Sequence, residues 1–234
     1  MRVSVVIPAR NEEHAIARVI ADIPRDLVAE VIVVDGGSTD RTRDIASAHG
    51  ARVIVDHRRG YGRACLTGLD AIDAAAEVVV FLDGDYSDRP AELPRLLAPI
   101  EANRADLVLG SRLAGPRVQG ALPWHSVLGN SVAAALINVV SRVNLTDLGP
   151  FRAARVAVLH DLSLEEQTYG WPVEMLVKGA ARGYRIVEVP VSYHPRIGTS
   201  KITGTVRGSL GAAWCIFSGI AKHRLKEAVR ARRS

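Results

Sequence analysis

The sequence predicts an α/β fold in which helices cover both faces of a mostly parallel sheet. Short runs of consecutive apolar, β-branched residues alternate with segments whose apolar residues recur at helical spacing. A run that is apolar throughout indicates a strand buried on both faces, as is typical of parallel sheets. The chain has 234 residues, 48% of them hydrophobic, and is long enough for one such domain.

The predicted strands are separated by segments with helical patterns. The first strand, 3–7, is continuously apolar, and segment 12–23 after it places Ile16, Val19 and Ile20 on one helix face. Further strands are predicted at 31–34, 53–55, 78–82, 107–109 and 185–189, and further helices at 40–49, 63–76, 90–102, 127–143 and 172–182. The stretches 111–126 and 192–207 read as loops, and a final helix is predicted from about Val206.

The C-terminal end is strongly basic in a chain of net charge +5. Six Lys and Arg residues between 222 and 233 face only Glu227, and the apolar residues Leu210, Trp214 and Phe217 precede them. This order suits an anionic membrane surface. A solvated helix end, or apolar residues packed on the core, are the alternatives. A nucleic acid would not explain the acidic clusters described below, so none is predicted as a partner.

Cysteine count and hydropathy predict a compartment. Cys65 and Cys215 are the only cysteines, too few for a disulfide framework, which favours a reducing cytoplasm. The longest apolar run, 210–221, is interrupted by Gly211 and Gly219 and is shorter than the roughly 18–20 residues of a membrane span. We expect a cytoplasmic protein, soluble or peripheral on the inner face of the membrane.

Polar clusters follow three of the predicted strands. They occupy 8–12, 35–40 and 83–85. Ligands in open parallel sheets bind at the carboxyl ends of the strands, so the three clusters should meet at one edge. This edge is the candidate site.

Aspartates in these clusters are the candidate ligands. Asp83 and Asp85 lie at i and i+2 on a turn after a buried strand, so both carboxylates can reach one hard divalent cation. An ordinary surface turn is the alternative. Asp35 also ends a buried strand, and it is predicted either to accept from a nucleoside or to cap the following turn.

Several enzyme classes lack their motifs in this chain. No glycine-rich dinucleotide fingerprint follows the first strand, and no P-loop lysine motif occurs. The nucleophile-elbow motif is absent, and the seven histidines lack metalloprotease or zinc spacing. Oxidoreductases, NTPases and α/β-hydrolases are therefore disfavoured.

Three motifs carry a resemblance to the family-2 inverting glycosyltransferases. They are VVIPARNE at 5–12, VVDGGSTD at 33–40 and FLDGD at 81–85, in the family's order and spacing. The resemblance implies a GT-A fold, which is Rossmann-like, a nucleotide-sugar donor and Mg²⁺ or Mn²⁺. It implies nucleoside contacts from Pro8, Ala9, Arg10, Glu12 and Asp35, and metal and diphosphate contacts from Asp83 and Asp85.

The second half resembles a narrower group, the polyprenyl-phosphate glycosyltransferases that include dolichyl-phosphate mannose synthase. The matching pieces are GSR at 110–112, TDLGPFR at 146–152, EVPV at 188–191 and RIGTSK at 196–201. The resemblance implies that Arg112 contacts the acceptor phosphate and acts in catalysis. It also implies a loop that closes over phosphates through Arg196, Ser200 and Lys201, although a solvated basic loop is the alternative. Ser87 stands where the group often has a third metal ligand.

The acceptor type follows from the position of the base. A hydroxyl acceptor needs a general base, whereas a phosphate oxygen is already anionic. Counting back from Gly183-Tyr184 places the family's usual base at Pro172, which cannot act. Asp147 or Glu174 could substitute, but the missing base favours a phosphate acceptor.

We therefore expect a metal-dependent enzyme that transfers a hexose from GDP-mannose or UDP-glucose to a polyprenyl phosphate. A soluble hydroxyl or phosphate acceptor is one alternative, and a non-catalytic nucleotide-binding or membrane-surface module is another. The predicted catalytic domain is 1–205, with a donor half at about 1–112 and an acceptor half at about 113–205. Residues 206–234 are predicted to form a basic amphipathic helix or tail. The sequence does not fix the oligomeric state.

Overall fold

The computed structural model describes residues 1–141 and 143–198, so the predicted C-terminal tail and the predicted ligands Ser200 and Lys201 lie outside the described residues. A seven-stranded, mostly parallel sheet forms the centre, in the order β3-β2-β1-β4-β6-β5-β7. The strands are β1 Val3–Ala9, β2 Glu30–Asp35, β3 Arg52–Val55, β4 Val78–Phe81, β5 Leu107–Ser111, β6 Arg152–Arg155 and β7 Ile186–Pro190. The α/β fold predicted from the sequence is confirmed.

Seven helices cover the sheet in the described part of the chain. They are α1 Ile16–Ala21, α2 Thr42–Ala48, α3 Tyr61–Asp70, α4 Leu93–Glu101, α5 Trp124–Ser141, α6 Val156–Leu162 and α7 Trp171–Ala181, and a short 3-10 turn, Pro90–Glu92, precedes α4. One core cluster packs α1, α2 and α4 on one face of the sheet. A second packs α3, α6 and α7 on the other face, and α5 packs against α7 in a third cluster.

Parallel pairing brings the three polar clusters together. Strand β1 pairs with β2 on one side, with Ala9 opposite Asp35, and with β4 on the other side, with Val6 opposite Phe81. All three strands point the same way and are buried, so their carboxyl ends form one edge. The residues 8–12, 35–40 and 83–85 follow these ends.

Strand β6 was missed by the sequence analysis. It reads Arg-Ala-Ala-Arg, a composition that lacks the β-branched and aromatic residues of typical strands. It lies between β4 and β5 and runs antiparallel to both, with Ala153 opposite Val80 and Val108. Strand β5 therefore runs in the same direction as β4, and its carboxyl end lies at the same edge as the polar clusters. Helix α6, directly after β6, was also missed.

No helix among residues 1–141 and 143–198 is both long and apolar enough to cross a membrane.

Candidate active site

A cavity of about 480 Å³ lies at the shared edge of β1, β2 and β4. This volume is within the range of small-ligand sites. Its walls come from the turns after these strands, from the start of α3, from the loop before α7 and from residue 196. The lining residues are Pro8, Ala9, Arg10, Glu12, Gly36, Arg58, Arg59, Gly60, Tyr61, Ala64, Asp83, Gly84, Asp85, Thr168, Tyr169 and Arg196.

Most of the predicted donor-side residues meet in this cavity. The first cluster contributes Pro8, Ala9, Arg10 and Glu12 to its wall. The main chain of this segment is held by the second cluster, since the Asn11 N–H donates to Ser38 Oγ at 2.9 Å and the Glu12 N–H donates to Thr42 Oγ1 at 2.8 Å. The strand-end argument thus placed these residues correctly.

Asp83 and Asp85 both line the cavity and flank Gly84. Burial, and after it the charge of Asp85, raise the pKa of Asp83 from its usual value to about 7, against the opposing charges of Arg112 and Arg196. Asp85 Oδ1 accepts from the Ser87 N–H at 2.9 Å and from Ser87 Oγ at 2.6 Å. Two carboxylates held this close carry more negative charge than their surroundings neutralise.

The oxygen donors of this turn fit a hard divalent cation, which the family resemblance implies. Carboxylate oxygens are the ligands that Mg²⁺ and Mn²⁺ prefer, and a cation would relieve the charge excess at Asp83. Among the described residues, no cluster of three or more His, Cys, Asp and Glu side chains is placed to hold a metal. A cation here would therefore need ligands from substrate phosphates and water. Ser87, which stands where the resembling group often has a third metal ligand, is hydrogen-bonded to Asp85.

Arg196 reaches the cavity from the far end of the described chain. Its Nη1 lies 3.3 Å from Asp85 Oδ2, and its Nη2 donates to Glu12 Oε1 at 3.1 Å. The loop that carries it is anchored to the 83–88 turn, since the Ile197 N–H donates to the Asp85 carbonyl and the His194 N–H to the Ser87 carbonyl. Arg196 thus lies beside Asp85 and Glu12, and its contact with a phosphate stays a prediction.

Asp35 differs from its predicted role as a nucleoside contact. Its side chain has no exposed surface and is not part of the cavity wall. The carboxylate accepts from the Gly37 N–H at 3.2 Å and from the Ser38 N–H at 3.0 Å. The structure thus shows the turn-capping role that the sequence analysis left as the alternative, and Gly36 of the same turn lines the cavity.

The loop after β3 supplies lining residues that the sequence analysis missed. Arg58, Arg59, Gly60 and Tyr61 come from this loop and from the first turn of α3. Gly60 has φ 140°, and an added Cβ would lie 2.2 Å from the Gln167 carbonyl oxygen, so only glycine fits. The cluster follows the carboxyl end of a strand, and the rule used for the other three strands would have found it.

The family model for "Glycosyl transferase family 2" matches residues 4–163. The chain belongs to this family. The three donor-side motifs that suggested it lie inside the matched range.

Two curated relatives and one solved structure extend the comparison. The chain is 37% identical over 233 residues to a dolichyl-phosphate hexose transferase of Haloferax volcanii, covering 97% of this chain and 96% of the relative. It is 34% identical over 222 residues to an undecaprenyl-phosphate mannosyltransferase of Micrococcus luteus, covering 89% and 90%. Glucosyl-3-phosphoglycerate synthase from Mycobacterium tuberculosis, solved with Mn²⁺, UDP-glucose and phosphoglyceric acid, superposes with a TM-score of 0.77 at 27% identity over 95% of this chain and 79% of that chain. The GT-A fold expected from the motifs is confirmed.

In this family 2 member, Arg112 forms a buried ion pair. Its Nε donates to Asp147 Oδ2 at 2.7 Å and its Nη2 to Oδ1 at 2.8 Å, and the Arg112 N–H also donates to Oδ2. Burial alone would raise the pKa of Asp147, but the charge and hydrogen bonds of Arg112 lower it below the usual value. Arg112 is not part of the cavity wall, although its charge acts on Asp83.

The two carboxylates considered as substitute bases are both engaged in structural contacts. Asp147 is fully buried against Arg112. Glu174 is also fully buried, where it pairs with Lys178 at 2.8 Å and accepts from the N–H groups of Glu165 and Glu166. The geometry gives neither the role of a base.

The Glu174–Lys178 pair instead anchors the loop that forms one wall of the cavity. Lys178 Nζ donates to the Ser163 carbonyl at 2.8 Å, so the pair holds the loop at its start, and Glu174 holds it two residues later. The loop ends in Thr168 and Tyr169, which line the cavity. The Tyr169 ring stacks on Tyr61 with centroids 6.2 Å apart.

Proposed function

We propose that the protein is an inverting glycosyltransferase that moves a hexose from a nucleotide sugar to a polyprenyl phosphate. One observation carries the proposal: Asp83 and Asp85 converge with the turns after β1 and β2 in a single cavity at the sheet edge. That edge is where open parallel sheets bind nucleotides. The relatives that act on polyprenyl phosphates cover almost the whole chain, which supports the acceptor.

On the donor side, we assign the nucleoside to the wall formed by Pro8, Ala9, Arg10 and Gly36. Asp83 and Asp85 would hold Mg²⁺ or Mn²⁺ together with the diphosphate of the donor. A bound cation stabilises the negative charge that develops on the departing nucleotide diphosphate. Arg196 would bind the diphosphate of the donor, because Glu12 and Asp85, with which it pairs, line the same wall of the cavity.

On the acceptor side, a phosphate oxygen attacks the anomeric carbon opposite the leaving diphosphate. A phosphate acceptor needs positioning and no deprotonation, which agrees with the structural contacts of Asp147 and Glu174. Arg112 remains a proposed acceptor contact. Asp147 takes its Nε and Nη2, so we assign the phosphate to Nη1.

The deciding experiment compares acceptors with the wild-type enzyme. Labelled GDP-mannose and UDP-glucose are each incubated with a polyprenyl phosphate and with the dephosphorylated alcohol, in the presence of Mg²⁺ or Mn²⁺. We expect transfer to the phosphate and none to the alcohol. Equal transfer to the alcohol would overturn the proposed acceptor.

A soluble phosphorylated acceptor is the second candidate. It is favoured by the likeness to glucosyl-3-phosphoglycerate synthase, whose solved complex contains phosphoglyceric acid. Adding phosphoglyceric acid to the same assay separates the two. Transfer to this acid alone would replace the lipid phosphate in the proposal while leaving the donor site unchanged.

A further inference from the structure

Helix α5 has apolar side chains on two opposite faces. Its inner face, with Ala133 and Ile137, is buried in the cluster shared with α7. Its outer face carries Leu128, Val132 and Val139, which are 57%, 47% and 79% exposed. These residues are spaced by four and seven, so they share one side of the helix.

The outer face is unusual for the surface of a soluble domain. From Trp124 to Ser141 the helix contains no Asp, Glu, Lys or Arg. A helix at a protein surface normally turns charged or polar residues outward. An exposed apolar stripe that extends over several helical turns marks a surface that another body covers.

Charge around the helix indicates what that body is. No acidic residue lies between Asp106 and Asp147 in the sequence, whereas the exposed Arg117 precedes the helix. Val118, on the same connecting loop, is 44% exposed, and Trp124 at the start of the helix is 78% exposed. Apolar side chains and an exposed tryptophan near an exposed arginine, with no carboxylate in the same segment of the chain, match an anionic lipid surface.

The position of the helix adds a second argument. The loop before α5 leaves the carboxyl end of β5, which lies at the same sheet edge as Asp83 and Asp85. The segment that leads into the proposed docking face therefore starts at the edge that holds the cavity, where a lipid-linked substrate would be delivered.

We propose that the outer face of α5, made of Leu128, Val132 and Val139 together with Trp124, docks on an anionic lipid bilayer. The proposed function supplies only the reason for this docking, since an enzyme with a lipid-linked acceptor works at a membrane. The binding itself needs neither donor nor acceptor.

The test measures sedimentation of the full-length protein with vesicles that contain no substrate. Vesicles of phosphatidylcholine alone are compared with vesicles that also contain phosphatidylglycerol. The wild type should partition onto the anionic vesicles. Leu128→Gln/Val139→Gln should reduce this partitioning by about tenfold or more, since two side chains lose their burial in the acyl boundary.

Val55→Gln is the matched control, because Val55 is 42% exposed on strand β3 at the other side of the sheet. It should bind vesicles like the wild type. Equal binding by the Leu128→Gln/Val139→Gln variant and the wild type would overturn the proposal. Because these vesicles lack polyprenyl phosphate, that result would leave the proposed acceptor standing, and failure of the acceptor assay would leave the docking result standing.

Two other bodies could cover the face, and each gives a distinct result. A wild-type dimer in analytical ultracentrifugation that the double variant dissolves would assign the face to a second copy of the chain. A double variant that melts at a lower temperature, with unchanged vesicle binding, would assign it to packing within the chain, such as residues 199–234. Either outcome contradicts lipid docking by α5.

Discussion

Asp83 and Asp147 are carboxylates of the same domain, and burial acts on both, but their pKa values move in opposite directions. Burial, and after it the charge of Asp85, raise the pKa of Asp83 to about 7. The Asp147 carboxylate accepts hydrogen bonds from Nε and Nη2 of Arg112, and the pKa of Asp147 is lowered. Arg196 pairs with Asp85, but the raised pKa of Asp83 indicates that the turn at 83–85 still carries excess negative charge, whereas the Arg112–Asp147 pair is balanced.

The difference separates two uses of a buried charge. In a balanced pair the two charges neutralise each other within the chain. The Arg112–Asp147 pair also holds segment 111–112 against segment 147–148. An unbalanced pair gains stability only when something outside the chain supplies positive charge, which is typical of functional sites. Substitutions can show, for each buried charged group, whether its charge is neutralised within the chain or needs a ligand.

Breaking the balanced pair should have the largest effect. Arg112→Met should lower the free energy of unfolding in urea by about 3–5 kcal/mol, because Asp147 is left buried and unpaired. Arg112→Met/Asp147→Leu should recover part of that loss, since no buried charge remains, although the backbone N–H groups at positions 112 and 148 lose their acceptor. A cost below about 1 kcal/mol for the single variant would show that the pair is not structural.

The same double variant also tests the proposed phosphate contact of Arg112. If Arg112 contacts the acceptor phosphate, the double variant should regain stability relative to the single variant but lose transfer to polyprenyl phosphate. Its affinity for the nucleotide should be unchanged. Unchanged transfer would confine Arg112 to its structural pair.

Removing one charge from the unbalanced turn should act on activity instead of stability. Asp85→Asn should reduce transfer by about 10²–10³-fold, the usual cost of losing one electrostatic contact at a developing charge. The metal-free variant should unfold at the same or a higher temperature, because repulsion from Asp83 is relieved. Chelator should abolish activity of the wild type, and the exposed Asp26→Asn should behave as the wild type does. Full wild-type activity in chelator would contradict the metal assignment.

Asp35 tests whether every buried carboxylate at the donor edge belongs to the site. Its two hydrogen bonds to backbone N–H groups make it a balanced group. Asp35→Ala should lower the free energy of unfolding by about 1–3 kcal/mol, because the N–H groups of Gly37 and Ser38 lose their acceptor. Nucleotide affinity, measured by calorimetry, should fall only slightly. The variant loosens the turn that carries Gly36, which lines the cavity, but it removes no direct contact with the nucleotide. A large loss of affinity with unchanged stability would return Asp35 to the role of a direct ligand.

The smallest expected effect is on the pH dependence of stability. The pKa of Asp83 is about 7 in the folded protein and near its usual 3.8 in the unfolded chain, so between these pH values the folded state binds the proton more tightly. The metal-free protein should therefore lose stability as pH rises from about 4 to 7. Added Mn²⁺ should raise the melting temperature more at pH 8 than at pH 5, and Asp85→Asn should flatten this difference. For Asp147 the pH dependence of stability is opposite. Its pKa is lowered in the folded protein, so the stability that its charge contributes is lost only as the pH falls below the usual pKa of an aspartate.

The sequence predicted most of the donor side. Each strand from β1 to β5 appears as a local run of apolar residues, and the rule that ligands lie at carboxyl ends then placed Glu12, Asp83 and Asp85 in one cavity. It failed at the loop after β3, where Arg58 to Tyr61 were passed over although the same rule applies. Thr168 and Tyr169 had no such signal, because the loop that carries them is held in place by Glu174 and Lys178.

By itself, the sequence predicted every described strand except β6 and every described α-helix except α6, since hydrophobic spacing is a property of neighbouring residues. It also identified Arg112 and Asp147 as candidate functional groups. Only the tertiary structure decided that these two neutralise each other, because they are 35 positions apart and their meeting depends on how β5 is placed. The same holds for β6, whose Ala153 and Ala154 have little preference for a strand and form one because β4 and β5 offer hydrogen-bonding edges on both sides.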